Sequence, residues 1–272
     1  SYFQNLKNLI VFFFLEFYRK IRKTNKKNSY YFLSHSSRII KRPFIFNKVK
    51  KIGLDFEILK DKNYIYMPLH LEPEMALQNF SPEFNNQLEM IYWISKSLPS
   101  NYFIAVKEHP EMYGLRTIKY INNLIKIPNV LLVKPEISSL KLINKCKAVA
   151  TITGTAAFEA VYLKKPVLSF GKHQVINSLS SVFYCSNFIQ TEKNIKKILN
   201  GIDNKILKIN SNKLLSSIYQ NSFELIDLDK IDDAFDGVKR SLKKKYSDIK
   251  KWENLAQIAF NNLLSMLKKK TN

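Results

Sequence analysis

The sequence has few of the residues that mark repeats, flexible linkers and covalent frameworks. Only 6 glycines and 9 prolines occur in 272 residues, so we expect neither long linkers nor low-complexity segments, and no internal repeat is visible. The two cysteines, Cys146 and Cys185, have neither metal-site spacing nor a disulfide-rich context. We therefore expect a cytoplasmic protein with reduced thiols and no bound metal.

Acidic residues are scarce, with 22 Asp and Glu against 44 Lys and Arg, which gives a net charge of +22. This excess favours an anionic small ligand, an anionic membrane surface or nucleic acid as the partner. A composition rich in Lys, Asn and Ile, typical of AT-rich coding, explains the same excess without any binding role. Aromatic residues lie mostly in predicted core segments and no nucleic-acid motif occurs, so we expect no nucleic-acid partner.

No hydrophobic run is long enough to span a bilayer. Residues 9–17 are apolar apart from Glu16, but a spanning helix needs about 20 residues, and no signal-peptide cleavage site follows. Residues 246–269 have an amphipathic helical pattern with a Lys-rich end, which fits a packing helix or a helix on a membrane surface. Peripheral contact with the inner face of the plasma membrane therefore stays open. The first residue is Ser rather than Met, so an N-terminal domain that precedes this chain also stays open.

Short apolar runs alternate with helical patterns from residue 64 onward. We predict strands at 64–69, 102–106, 130–133, 148–152 and 166–170, and helices at 5–23, 85–97, 115–126, 138–145, 155–163 and after 191. Residues 30–60 are irregular in pattern. Continuously apolar strands that alternate with helices are typical of a parallel sheet with right-handed crossovers. The predicted fold class is α/β, a Rossmann-like doubly wound sheet at 61–200, between a helix and connecting segment at 1–60 and a helical segment at 201–272.

The sequence KEHP, residues 107–110, follows a predicted buried strand. Ligands of open α/β sheets bind beyond the carboxyl ends of the strands, and Pro110 keeps His109 extended at that edge. His109 can donate a hydrogen bond to a phosphate oxygen, and Lys107 adds positive charge. The alternative is a histidine that bonds only to backbone.

A second strand end carries TITGTAAFEA, residues 151–160. The turn Thr153-Gly154-Thr155 presents backbone N–H groups and two hydroxyls to an anion. Glu159 comes one position too late for a capping box with Thr155, which leaves its carboxylate available for ribose hydroxyls. Its alternative role is a favourable charge near a helix start. Neither GxxxxGK[ST] nor GxGxxG occurs, which argues against a dinucleotide.

Two further motifs lie at predicted strand ends. In MPLHLEPE, residues 67–74, His70, Glu72 and Glu74 form a titratable cluster for acid–base work or for sugar hydroxyls, unless the segment is an ordinary polar loop. In KKPVLSFG, residues 164–171, Gly171 closes a strand and allows a close ligand approach, while His173 is more typical of a surface loop.

These four motifs, in this order, resemble the capsule polysaccharide synthesis proteins, which are GT-B glycosyltransferases; the resemblance covers roughly residues 60–185. It implies two Rossmann-like domains with the active site between them, of which this chain is the second, the one that binds the sugar nucleotide. Some relatives use CMP-Kdo. Carried over, His109 meets the donor phosphate, and the 153–155 turn with Glu159 holds the nucleotide. The family's N-terminal domain, with its acceptor site and usual catalytic carboxylate, is not visible here.

We therefore predict a glycosyltransferase of capsule or surface polysaccharide biosynthesis. It binds a nucleotide-activated sugar as substrate, needs no cofactor, and transfers the sugar to a glycan or glycolipid acceptor. The predicted catalytic residues are His109, Glu74 and His70, and the predicted substrate-binding residues are Lys107, Glu108, Pro110, Thr153, Gly154, Thr155, Glu159 and Gly171. An epimerase or glycerophosphate transferase of the same fold, and a non-catalytic module that binds nucleotide sugar or polysaccharide, remain alternatives.

Overall fold

The computed structural model of the protein describes residues 29–72, 81, 84 and 86–221. The helices predicted at 5–23 and 246–269, and the predicted catalytic residue Glu74, lie outside these residues. The chain divides into two compact units, Ser1–Asn212 and Lys213–Asn272. The sheet belongs to the first unit, and our predicted boundaries at residues 60 and 200 stay a prediction.

The described residues form helices that alternate with strands. The helices are α1 (Ser29–Ile52), α2 (Phe56–Leu59), α3 (Gln87–Ser97), α4 (Ile118–Ile125), α5 (Ser139–Lys145), α6 (Ala156–Tyr162), α7 (Phe188–Leu199) and α8 (Asn204–Asn221). The strands are β1 (Asn63–Pro68), β2 (Tyr102–Lys107), β3 (Val130–Leu132), β4 (Ala148–Thr151), β5 (Val167–Ser169) and β6 (Val182–Tyr184). Two 3₁₀ turns, Pro110–Met112 and Val175–Ser178, follow β2 and β5.

The six strands form one parallel sheet in the order β3-β2-β1-β4-β5-β6. The chain runs outward from β1 to β3, and then returns to the other side of β1 to continue with β4. The predicted α/β doubly wound fold is therefore confirmed. Because the connections leave β1 and β4 in opposite directions, we expect the ligand-binding crevice of such folds between the carboxyl ends of these two strands.

Alternating strand residues build a core on each face of the sheet. Ile65 and Ile104 belong to the larger core, together with buried side chains of α1, α3, α4 and α7. Helices α5 and α6 pack on the other face, where the Tyr64 hydroxyl donates to the Leu142 carbonyl at 2.9 Å. Both faces of β4 are completely buried, which explains why its first three residues, Ala148 to Ala150, are apolar.

The structure corrects the prediction that residues 30–60 are irregular, because they contain α1 and α2. Pro43 lies inside α1, which obscures the helical pattern, and Ile45 and Val49, four residues apart, are its buried contacts with the core. Strand β6 was also missed, since its three residues are shorter than a recognisable apolar run. In the described residues, no helix has the length and apolar character that crossing a bilayer requires.

Candidate active site

His70 joins the ends of the two strands that border the crevice. Its Nε2 accepts the Ile152 N–H at 3.2 Å and lies 3.1 Å from the Thr151 hydroxyl, so the proton of the neutral ring belongs on Nδ1. The side chain is almost completely buried, and burial, together with the nearby charges of His109 and Arg116, lowers its pKa to about 4. His70 is therefore neutral at neutral pH and connects β1 to β4, an arrangement that favours a structural link over acid–base chemistry.

The turn after β4 lies directly against His70. The Gly154 N–H donates to the Thr151 hydroxyl at 3.2 Å. A Cβ at Gly154 would lie 2.9 Å from that oxygen and 3.0 Å from His70 Cε1, so only glycine fits here without a shift. Thr155 occupies the N-cap position of α6, but its side chain makes no capping hydrogen bond. Thr153 and Gly154 are half-buried and Thr155 is exposed, so the turn presents its surface at the crevice.

His109 follows β2 and caps the 3₁₀ turn that begins with Pro110. Its Nδ1 accepts the Glu111 N–H at 3.2 Å, so the proton of the neutral ring belongs on Nε2. Among the described residues, no protein group makes a hydrogen bond to this Nε2. The half-buried ring therefore offers an N–H donor at the edge of the sheet.

The two residues that precede His109 in the KEHP segment make contacts within the protein. Lys107 donates to the Ile137 carbonyl at 2.5 Å, and its partial burial lowers its pKa. Glu108 is only 2% exposed, and its Oε1 accepts the His109 N–H at 2.8 Å. Burial raises the pKa of Glu108 to about 7, although the neighbouring Arg116 acts in the opposite direction. Glu108 would thus act on a ligand only through His109.

Arg116 is the centre of a buried network that the sequence analysis missed. Its Nε lies 2.8 Å from Glu108 Oε2. One terminal nitrogen donates to Glu72 Oε2 at 2.9 Å, and the other donates to the His70 carbonyl at 2.8 Å. The guanidinium stacks 4.4 Å from the centre of the Tyr120 ring. One side chain therefore connects the segments that follow β1 and β2.

Gln87, the first residue of α3, completes this network. Its Oε1 accepts the His70 N–H at 2.8 Å, and its Nε2 donates to the His70 carbonyl at 3.2 Å and to Glu72 Oε1. The side chain is completely buried. Gln87 therefore holds both backbone polar groups of His70.

Other predicted site residues lie further along the carboxyl edge. Burial, with a smaller contribution from the charge of Glu159, raises the pKa of Tyr66, so Glu159 lies near the face that α5 covers. A Cβ at Gly171 would lie 2.3 Å from the Ile152 carbonyl oxygen, so this glycine allows contact between two protein segments. His173 is exposed, and no group of three metal-ligating side chains occurs in the described parts of the chain.

The comparison with protein families agrees with these motifs. The model described as capsule polysaccharide biosynthesis protein matches residues 2–175. The chain belongs to this family. No curated protein sequence gives a significant match.

Several solved structures are similar to this capsule-family chain. A spinosyn rhamnosyltransferase complexed with thymidine diphosphate is 16% identical, with 60% of this chain and 45% of that chain covered and a TM-score of 0.41. The UDP-GlcNAc 2-epimerase of Methanocaldococcus jannaschii is 15% identical, with 68% of this chain and 52% of that chain covered and a TM-score of 0.41. The β-Kdo 2,7 transferase KpsC of Thermosulfurimonas dismutans is 19% identical, with 66% of this chain and 57% of that chain covered and a TM-score of 0.38. The chain thus spans about half the length of these structures.

One signal in the sequence of this capsule-family chain could have revealed Arg116. Only 6 of its 44 basic residues are arginines, and Arg116 follows KEHP by six residues. An arginine in a chain that otherwise uses lysine indicates a need for the planar, forked donor set of the guanidinium. Gln87 carries no comparable signal, because its role depends on where the start of α3 lies.

Proposed function

We propose that this chain is the donor-binding half of a capsule polysaccharide glycosyltransferase. It binds a nucleotide-activated sugar at the crevice between β1 and β4 and supports transfer of the sugar to a glycan or glycolipid acceptor. Family membership supports the biological process. The structural observation that supports the chemistry is the His109 Nε2–H donor, which follows β2 at the same edge of the parallel sheet as His70 and the turn that packs on His70.

The turn after β4 supplies a second set of donors for the same anion. Among the described residues, the backbone N–H groups of Thr153, Thr155 and Ala156 have no hydrogen-bond acceptor. Free N–H groups at the start of a helix bind phosphate well. With the His109 ring they would stabilise the negative charge that develops on the leaving phosphate when the bond between the sugar and the donor phosphate breaks and the acceptor hydroxyl bonds to the sugar. The scheme needs neither a cofactor nor a metal ion.

The proposed identities of the nucleoside and the sugar rest on the family resemblance. We propose a pyrimidine nucleotide, with CMP-Kdo as the first donor to test. Glu159, one turn into α6, is the proposed partner of the ribose hydroxyls. His70 and Glu72 are assigned to support of the site, because their polar atoms contact Ile152, Gln87 and Arg116.

The first experiment measures nucleotide binding. CMP or UDP should raise the melting temperature of the chain, since a ligand that binds only the folded state stabilises it, whereas NAD should have no effect. His109→Ala should weaken CMP binding in calorimetric titrations by one to two decades, because a hydrogen bond to a charged group contributes about 1.5–3 kcal/mol.

His109→Asn is the matched control for folding. The Asn side-chain oxygen can still accept the Glu111 N–H and cap the 3₁₀ turn, but the residue lacks the Nε2–H donor. It should therefore bind CMP as weakly as the Ala variant, with a free energy of unfolding within about 1 kcal/mol of the parent. Stabilisation by NAD alone would overturn the proposed function. Parental CMP affinity in both variants would instead remove His109 from the site.

A further inference from the structure

The rim network connects the two proposed phosphate contacts across β1. We use this name for a set of buried or half-buried polar residues at the carboxyl edge of the sheet: His70, Glu72, Gln87, Glu108, Arg116 and Thr151. It begins at the His109 N–H, which donates to Glu108 at 2.8 Å. Glu108 contacts Arg116 at 2.8 Å, and Arg116 donates to the His70 carbonyl at 2.8 Å.

From His70 the network continues to the turn after β4. The His70 ring accepts the Ile152 N–H at 3.2 Å and lies 3.1 Å from the Thr151 hydroxyl. That hydroxyl in turn accepts the Gly154 N–H at 3.2 Å. The contacts between residues are hydrogen bonds, except that Glu108 and Arg116 form an ion pair without hydrogen-bond geometry, and the side chain of His70 joins its carbonyl to its ring. The path from His109 to Gly154 is therefore continuous.

We propose that Arg116 is a positioning residue that couples His109 to the Thr153–Thr155 turn, so that both contact the same donor phosphate at a fixed separation. This inference rests on the proposed function and names how its site is held together. Arg116 itself is 3% exposed and does not touch the ligand. It acts on His109 through Glu108, and on the turn through His70.

The chemistry of arginine explains why a single residue can do this. Its planar guanidinium presents donors in fixed directions, and here it serves two carboxylates and one carbonyl while stacking on Tyr120. Lysine is a compact charge on a flexible stem and cannot reproduce this planar fork. Because the contacts are buried, solvent does not replace one that is lost, and the network should fail as a unit.

The test compares two Arg→Lys substitutions in the full chain. Arg116→Lys keeps a positive charge between Glu72 and Glu108 but loses the fork. Arg42→Lys is the matched control, because Arg42 pairs with Glu111, beside the same segment, in an exposed contact at 3.7 Å. The readouts are the imidazole NMR signals of the chain's four histidines, CMP affinity by calorimetry, and the urea midpoint.

In Arg116→Lys, the ring signals of both His70 and His109 should shift, and CMP should bind about tenfold more weakly, which corresponds to about 1.4 kcal/mol. The titration of His70 should also move upward from about 4 as its contacts loosen. Arg42→Lys should change none of these readouts. Unchanged His70 and His109 signals in Arg116→Lys, or parental CMP affinity when those signals have shifted, would overturn the proposal.

Two further arms keep the outcome decisive. If Arg116→Lys does not fold, Glu108→Gln replaces it: this variant keeps an oxygen for the His109 N–H but loses the charge that faces Arg116, and the distant His70 signals should still shift. If the parent binds neither CMP nor UDP, the proposed function fails. The histidine signals then decide separately whether Arg116 couples the two segments.

Discussion

At the scale of the residue, two histidines at the same edge of the sheet use opposite ring nitrogens as acceptors. His70 accepts a backbone N–H at Nε2, whereas His109 accepts one at Nδ1. The Nε2 of His70 therefore contacts the protein, whereas the Nε2–H of His109 has no hydrogen-bond partner among the described residues. A single backbone donor decides each tautomer, and the role of His109 toward a phosphate stays a prediction.

The buried state of His70 predicts a pH dependence of stability. Its pKa is lowered to about 4 in the folded chain, against a usual value of 6.5, so the unfolded chain binds more protons between these values. This contribution to stability is complete above pH 6.5 and is lost as the pH falls toward 4. As the pH falls from 6.5 to 4, the free energy of unfolding measured in urea melts should decrease less for His70→Gln than for the parent. The difference should be on the order of 2–3 kcal/mol.

Only the difference between the pH profiles of the parent and of His70→Gln isolates the contribution of His70 to stability. The pKa of Glu108 is raised from 4.5 to about 7, so the folded chain binds more protons than the unfolded chain between these values. The contribution of Glu108 to stability therefore has the opposite sign and decreases as the pH rises from 4.5 through 7. His173→Gln, the same substitution at an exposed histidine, serves as the control. Equal pH profiles for His70→Gln and the parent would contradict the burial of His70.

At the scale of the element, α6 approaches the sheet closely because its inner face consists of small side chains. Ala157 and Ala160 are completely buried, whereas Phe158 faces outward with 36% of its surface exposed. The helix packs on β4 and β5 and begins directly after the turn that we assign to phosphate. The close packing of α6 therefore holds that turn at the crevice.

Larger side chains on this inner face should lower the free energy of unfolding more than they weaken CMP binding. Ala157→Leu inserts three carbon atoms at a completely buried position, and such overpacking costs about 1–3 kcal/mol, measurable in urea melts. Phe158→Leu, on the outer side of the same helix, should stay within about 0.5 kcal/mol of the parent. Loss of CMP binding in Ala157→Leu at parental stability would show instead that Ala157 limits the space for the ligand.

At the scale of the whole molecule, the net charge of +22 greatly exceeds what one phosphate site requires. Within the described residues, several exposed lysines pair with neighbouring carboxylates, for example Lys196 with Glu192 and Lys50 with Glu136. At least half of the basic residues lack an acidic counterpart, since the chain has twice as many basic as acidic residues. Such an excess attracts anionic surfaces.

The charge predicts binding to membranes that contain anionic lipid. Vesicles with phosphatidylserine should bind the chain, and raising the salt concentration should release it, because the screening length falls to about 3 Å at 1 M salt. The measurement is cosedimentation at increasing salt, with vesicles of neutral phosphatidylcholine as the control. Equal binding to neutral vesicles, or binding that salt does not reduce, would reject an electrostatic contact.

Local pattern was sufficient to predict much of the fold. The predicted strands and helices between residues 64 and 170 are confirmed to within about three residues at their ends, because continuous apolar runs and helical spacing are local properties. Of the predicted site, the structure brings His70, His109 and the 153–155 turn together at one edge. Their roles toward a ligand stay predictions.

The sequence by itself determined five of the six described strands, that these are parallel and buried, and that KEHP and TITGTAAFEA follow two of them. Only the tertiary structure decided the strand order, the helix across Pro43, and the buried contacts of Arg116 with Glu72, Glu108 and His70. The physical reason is range. Periodicity and turn chemistry act between neighbours in the chain, whereas a buried arginine is stabilised by partners up to 46 residues away, which meet only when β1 and β2 pair.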